Sequence, residues 1–417
     1  MLGKPTIQIV GGGILGVLIA FLAAARGYAV RVVRMGDGEV PRADSLRNHA
    51  WLQSGLLYGS ELGRAIRRQM RLSGVGLLEM FGLPVPVERG IFGLKDETEA
   101  AQLLANAEEL NIASCVDRIP DGEAKRQAGE FYVSGRPYFW VPDAPFEEGG
   151  IMAAARDQAK ANGAEFANVD RPVKLRRDES SPCGVAVDIG GCWPGSQIVI
   201  LAAGSRTRSL LNQIGVDRNL VVSQSPLLVT PTCAPLRVPL YVDRKTGLSV
   251  VRHAPSSSHP NGCLVIGNTH RREIPSSAVE QRRELNDKDL QSLGDLLPPR
   301  IRKAILTAKG TRYTAGHKTE ICRPGMGCTV EPWIEAIEEY PGLFAAIPGK
   351  ATMALYTAEN VLDRVDEFFR RTAPAVIANP PIPFPTNTPW DGRIPLHHEK
   401  EYDEQLNDAC AVTRAAV

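Results

Sequence analysis

The chain has no strong excess of charge of either sign: 48 lysines and arginines stand against 47 aspartates and glutamates in 417 residues. No basic field exists to gather nucleic acid or an anionic membrane surface. Paired cysteines are missing as well. Its eight cysteines are scattered, without a C-x-x-C pair or a His/Cys cluster at zinc spacing. That excludes a zinc module and disfavours a disulfide framework, so free thiols in a reducing cytoplasm are expected. A second long apolar run is absent too. The one long run, residues 7–25, carries Gln8 and four glycines and has only Lys4 before it. A membrane span needs about 20 apolar residues with basic or aromatic anchors, and a secretory signal needs a small-residue cleavage site. Neither is expected here.

What is present starts at the sixth residue. Residues 6–33 read TIQIVGGGILGVLIAFLAAARGYAVRVV. Residues 6–10 are a short apolar, β-branched run of the kind that forms a buried parallel strand. Gly11, Gly13 and Gly16 follow in the spacing G-x-G-x-x-G. The first allows a tight turn, the second lets a pyrophosphate approach the backbone, and the third lets the next helix pack on the strand. Ile14 and Leu15 open that helix, whose free N–H groups and positive dipole end suit an anion. Gly27 stops it, and residues 29–33 form a second strand. A glycine pattern set between strand and helix predicts a dinucleotide site.

Further along, a loop over residues 43–54 precedes helical patterns over 62–81, 97–110 and 151–163. Residues 164–169 and 172–175 are strand candidates, followed by a hairpin-like stretch over 184–191. IVILAAG at 198–204 is a second buried-strand signal that ends in small residues. Between 221 and 268, the runs LLVTP, VPLYVD, GLSVVRH and GCLVIGN alternate with polar turns, which predicts an antiparallel sheet. Residues 278–309 read as helix broken at Pro298 and Pro299. A buried strand over 341–347, a loop over 349–352 and a helix over 353–370 close the folded part. After residue 373, seven prolines precede an acidic end. This extension is read as wrapping the surface or contacting a partner, a second copy or another subunit.

Four segments, in this order, resemble one family. They are VGGGILG at 10–16, RNHAWLQSGLLYG at 47–59, IVILAAGSRTRSLL at 198–211 and PGLFAAIPGKATMALYTAENV at 341–361. The second is similar to R-N-S-G-x-x-H-A-G-L-Y-Y and the third to V-V-x-A-A-G-x-W-S-x-x-L. The fourth looks like the segment that passes beneath a flavin pyrimidine. On these motifs the chain resembles the D-amino-acid-oxidase-like FAD-dependent oxidoreductases, relatives of glycine and sarcosine oxidases and L-2-hydroxyglutarate dehydrogenases.

The resemblance implies an α/β fold with an FAD-binding Rossmann-like (GR2-type) domain over residues 1–85, 143–218 and 330–372. An antiparallel-sheet substrate domain over 86–142 and 219–329 is inserted in it, and 373–417 form the Pro-rich extension. It implies cofactor contacts at Gly11, Gly13, Ile14, Leu15 and Gly16, at Arg34, Arg47, Asn48 and Val173, and at Ala203 and Gly204. The last group is Gly349, Lys350, Ala351 and Thr352, where a helix N-terminus stabilises charge on the reduced flavin.

Two departures stand out. The second strand of this fold normally ends in a carboxylate that accepts the ribose hydroxyls. That position is Arg34, which has no acceptor. Asp37 is one substitute, a 2′-phosphate on an NADP-like ligand is a second explanation, and decayed binding is a third. Gln53 takes the histidine place of the second motif. A glutamine forms no histidyl–flavin link, so FAD is expected to be noncovalent.

The implied reaction is oxidation of the C–N or C–O bond of a small amino acid, amine or 2-hydroxy acid, the flavin accepting hydride. A substrate carboxylate calls for a cation. Lys318, in the place of a family arginine, and Arg252, on a sheet strand, are the candidates. His270 and His317 are the imidazoles available as a base, while Gln53, Tyr58 and Tyr313 are placed to orient substrate. Two other readings compete: a noncatalytic nucleotide-binding or partner subunit, and an NADP-binding reductase.

Overall fold

A computed structural model describes residues 5–35, 44–59, 62–189, 196–231, 236–255, 262–268, 272–274, 287–323 and 327–372. Asp37, His270 and the extension from 373 onward lie outside the described residues. The first sheet has six strands. Its order is β19 (Trp333–Ala336), β20 (Leu343–Ile347), β11 (Ile198–Leu201), β1 (Thr6–Val10), β2 (Ala29–Met35) and β8 (Glu165–Val169). All neighbours are parallel except β19 and β20. The side chains divide by the period of two. Ile7 and Ile9 face a core shared with α1 (Ile14–Ala25), α5 (Glu148–Ala161) and α9 (Ala354–Thr372). Val10 and Val33 face the opposite core, with α6 (Thr207–Gln213) and the hairpin β9 (Lys174–Arg177) and β10 (Val185–Asp188). Covering both faces is why β11 and β20 read as unbroken apolar runs.

The second sheet has ten strands among the described residues. One edge carries β18 (Gly327–Thr329), β17 (Arg312–Arg323), β12 (Leu220–Pro231), β15 (Cys263–Asn268) and β14 (Leu248–His253). The order continues through β13 (Leu240–Asp243), β4 (Gly90–Gly93), β6 (Tyr138–Val141) and β5 (Asp117–Ile119), while β16 (Arg272–Ile274) pairs with β12. The expected antiparallel pattern holds except between β13 and β4, which run parallel. β3 (Trp51–Leu52) and β7 (Ala144–Pro145) form a small bridge. The architecture is therefore a mixed α/β protein: a Rossmann-like parallel sheet with helices, plus a second sheet-based domain.

The remaining helices are α2 (Arg64–Met80), α3 (Glu97–Glu109), α4 (Asp121–Ala128), α7 (Asp287–Asp295) and α8 (Pro299–Thr307). α3 shows how local chemistry starts them: Asp96 at the N-cap accepts the Glu99 N–H at 3.0 Å. Pro299 opens α8, where the missing N–H costs nothing. No described helix is long and apolar enough to cross a membrane. One expectation fails outright. Cys322 and Cys328 face each other across β17 and β18 and are disulfide-bonded, as is Cys115, while Cys183 and Cys263 are free. The thiols are thus not all reduced, and the cysteines do not mark a reducing compartment.

Candidate active site

A cavity of about 630 Å³ runs from the glycine turn after β1 to the face of the second sheet. That volume is within the usual range for a ligand pocket. At the first end recognition is left to backbone. Gly11 has φ +128°, and a Cβ there would lie 2.2 Å from the Ala202 carbonyl oxygen. Only glycine tolerates both conditions. Gly16 packs equally tightly: its Cβ would lie 2.0 Å from the Gly11 oxygen. Gly16 therefore shapes the turn and does not line the cavity, whereas Gly11, Gly13, Ile14 and Leu15 do. Gly13, at the N-cap of α1, has no side chain to cover the first-turn amides, and the Ile14 N–H donates to Ser45 Oγ at 3.1 Å. Ala203, Gly204 and Val173 complete this end.

Arg34 is buried, 6% exposed, and donates from Nε to Asn168 Oδ1 on β8. Its stem crosses Gly12, where a Cβ would lie 2.6 Å from the Arg34 Cβ, and it does not line the cavity. A role for Arg34 in meeting a 2′-phosphate has no support in this geometry. The acidic residues that do line the cavity are Asp44, Glu148 and Asp170.

The loop over residues 44–54 forms one long wall and is pinned at several points. Asp44 Oδ2 accepts from the Ser205 N–H and hydroxyl, and Asp44 Oδ1 contacts His317 Nδ1 at 3.2 Å. Burial pushes the Asp44 carboxyl up, but the bonds from His317 and Ser205 more than reverse this and leave it below the usual range. His317, one of the two expected bases, is thereby tied to a loop carboxylate. Asn48 Nδ2 donates to the Ser45 carbonyl and to Glu148 Oε2, each at 2.6 Å. Glu148 is 2% exposed, has no ion-pair partner among the described residues, and leaves Oε1 without a hydrogen bond. Burial raises its pKa to about 8, with Asn48 pulling only partly against it. Ala50 sits in the left-handed region at φ +45°, the place where the family motif has glycine. Buried Asp143 anchors the loop from behind, accepting from Trp51 Nε1 at 2.9 Å and from the Ser54 hydroxyl.

The far end is built from side chains. Lys318, on β17, lines the cavity and pairs with buried Glu320 at 2.6 Å. Desolvation and then the nearby charge of Lys350 lower its pKa to about 8, against the pull of Glu320. Lys350 Nζ lies 5.4 Å from the centre of the Tyr58 ring, and the Tyr58 hydroxyl donates to Gln53 Oε1 at 3.1 Å. Gln53 and Lys350 line the cavity, while Tyr58 stands just behind them. Half-buried His49 also lines it, with Nε2 3.0 Å from Ser249 Oγ. Desolvation, followed by Lys350 and His253, lowers its pKa to about 4.

Two conditions of a flavoenzyme thus meet in one cavity: a backbone turn suited to a pyrophosphate, and a cationic end suited to a small acid. The model of the FAD-dependent oxidoreductase family DAO matches residues 6–361. The chain belongs to this family. Solved structures agree on the fold. Glycine oxidase from Geobacillus kaustophilus aligns with a TM-score of 0.66 at 20% identity, covering 87% of this chain and 95% of that one. L-proline dehydrogenase from P. horikoshii gives 0.65 at 19%, with 88% and 94% covered. L-amino acid deaminase from Proteus vulgaris gives 0.66 at 14%, with 92% and 96% covered. No curated protein matches the chain in sequence.

For a DAO-family protein, the residues present fit an FAD. The cradle at Gly11 and the first turn of α1, which has no capping side chain at Gly13, suit its pyrophosphate. The loop of Gly349, Lys350, Ala351 and Thr352 lines the cavity just before α9, where a helix N-terminus suits the flavin edge. Arg47 and Asn48 line it as well. Arg252 does not. It donates to the Leu236 carbonyl at 3.2 Å and lies 4.0 Å from Glu88. The strand alternation explains this: Ser249 points to the cavity loop, so Arg252, three residues on, points away. Tyr313 is exposed and does not line the cavity. Sequence reading passed over Asp44, His49, Glu148 and Glu320. Only Glu148 had a signal, as an acid in an otherwise apolar helix start.

Proposed function

We propose that the chain oxidises the C–N bond of a small amino acid or amine bearing a carboxylate, with FAD held noncovalently. Oxidation of the C–O bond of a 2-hydroxy acid is the neighbouring reading. The observation that carries this is Lys318, a cation set in the wall of the flavin-sized cavity beside Lys350 and away from the glycine turn. A carboxylate there meets one full charge from Lys318, offset by Glu320, and a second from Lys350. Structures of the same fold include a glycine oxidase, a proline dehydrogenase and an amino acid deaminase, which supports an amino acid substrate. The bound flavin supplies the hydride acceptor. The protein's part is to hold the carboxylate with Lys318 and Lys350 and to keep the Gln53–Tyr58 pair against the reacting end. Gln53 in the loop leaves no histidine at that motif position to link the cofactor. The domain division at residues 85/86, 142/143, 218/219 and 329/330 belongs to the same proposal, as does contact with a partner through the extension.

The test is spectroscopic. The purified protein should show flavin bands that pass into the supernatant on acid precipitation. Under anaerobic conditions those bands should bleach with an amino acid or secondary amine, and more slowly or not at all with the matching hydroxy acid. Pigment that stays in the pellet would refute noncovalent binding. A protein that no amino or hydroxy acid bleaches would refute the substrate assignment.

A further inference from the structure

The imidazole of His49 is spent on one side and free on the other. Its Nε2 lies 3.0 Å from Ser249 Oγ on β14. The ring rests over Gly267, the register partner of Ser249 on β15: a Cβ on Gly267 would lie 2.1 Å from Nε2 and 2.8 Å from Cε1. Two neighbouring sheet residues, one small and polar and one without a side chain, thus make a seat for this ring. The Ser249 hydroxyl is also placed to donate to the Gly267 carbonyl at 3.4 Å. In that arrangement Nε2–H donates to Ser249 and Nδ1 keeps a bare lone pair. The loop backbone is held as well, His253 Nε2 lying 3.1 Å from the His49 carbonyl oxygen. Among the described residues Nδ1 has no hydrogen-bond partner, and His49 lines the cavity. The shift of its pKa to about 4 keeps the ring neutral near pH 7.

Lys318 and Lys350 offer only donors to a substrate. A small amino acid brings a carboxylate acceptor and, on the next carbon, an N–H donor. We infer that His49 Nδ1 is the acceptor that reads this donor, so that the site selects acids with N–H or O–H beside the carboxylate over acids without one. Ser249 is the positioning residue that fixes the tautomer. This inference rests on the reading of the cavity as a carboxylate site above a bound flavin.

Pyrrole-2-carboxylate and furan-2-carboxylate test it, because they share size, planarity and carboxylate and differ in one N–H. Each is titrated calorimetrically into the flavin-loaded protein. Wild type should bind the pyrrole acid roughly tenfold tighter, the effect of one hydrogen bond made against one acceptor left facing a lone pair. His49→Ala should erase the preference, because the pyrrole acid loses its hydrogen bond and the furan acid loses an unfavourable lone-pair contact. Ser249→Ala, which leaves the cavity wall intact, should shrink the preference, and Ser249→Thr should restore it. Lys318→Met should weaken both probes equally. A wild type with no preference, a preference for the furan acid, or a preference that survives in His49→Ala overturns the inference while the carboxylate reading stands. Failure of both probes to bind wild type overturns the two together.

Discussion

The two ends of the cavity are built by opposite means. At the glycine turn, contacts come from backbone held in one short stretch of chain, and what matters is the absence of side chains at Gly11 and Gly16. At the sheet end, contacts come from side chains delivered by segments far apart in sequence: His49 and Gln53, then Lys318, then Lys350. The glycine turn itself, residues 11–16, carries no titratable side chain. The sheet end carries groups whose protonation the fold has moved, Lys318 to about 8 and His49 to about 4. A backbone site is rigid and indifferent to pH, whereas a side-chain site is tunable and depends on every element that holds it.

The largest break in this contrast should come from Gly11→Val. The new side chain meets the Ala202 carbonyl and a backbone that L-residues avoid. We expect loss of bound flavin and destabilisation of roughly 3 kcal/mol or more, read from flavin absorbance and the urea midpoint. A variant that purifies yellow with an unchanged midpoint would show that the turn is not the cofactor cradle.

Next in size is Lys318→Met at the other end. The flavin content should stay the same, while KM for a carboxylate substrate rises roughly 10- to 100-fold. The sign of the pH effect follows from the depressed pKa. Lys318 is charged below about 8 and neutral above it, so wild-type KM should climb as pH rises through 8. In Lys318→Met that climb should vanish. An identical pH profile in the two proteins would remove Lys318 from substrate binding.

Glu148, in the cavity wall, sharpens the comparison through stability. Its pKa is raised from the ordinary 4.5 to about 8, so the folded state holds the proton more tightly than the unfolded chain. Stability contributed by the neutral acid is full below 4.5 and declines as pH rises toward 8. Relative to Glu148→Gln, wild-type apoprotein should lose up to about 5 kcal/mol across that window, measured by urea unfolding. Parallel stability profiles for the two proteins would mean that folding does not raise the Glu148 pKa. The smallest effect belongs to Ala50→Gly, which relieves the positive φ of the loop. It should add less than about 1 kcal/mol to stability and leave KM unchanged. A marked rise in KM would show that Ala50 holds the loop in its working shape.

The parallel sheet, α1, α5 and α9 were legible because each segment carries its own periodic signal and its own stop. β17 was not. Its sequence, RYTAGHKTEICR, has neither steady alternation nor a long apolar run. It forms a strand because ten of its residues are in register with β12, a partner about ninety residues earlier. The placement of Arg252 failed for a related reason: a strand can be read from sequence, but which face meets the cavity depends on what packs on each side.

The amino-acid order alone determined the glycine turn, the apolar strands buried on both faces and hence the family, because these are short-range patterns of size and hydrophobicity that hold wherever the segment ends up. Tertiary structure alone decided that Asp44 ties His317, that Glu148 is buried with no counter-charge among the described residues, and that His49 is seated on Ser249 and Gly267 in the cavity of Lys318. Those properties depend on distance and desolvation between residues far apart in the chain, which no local pattern encodes.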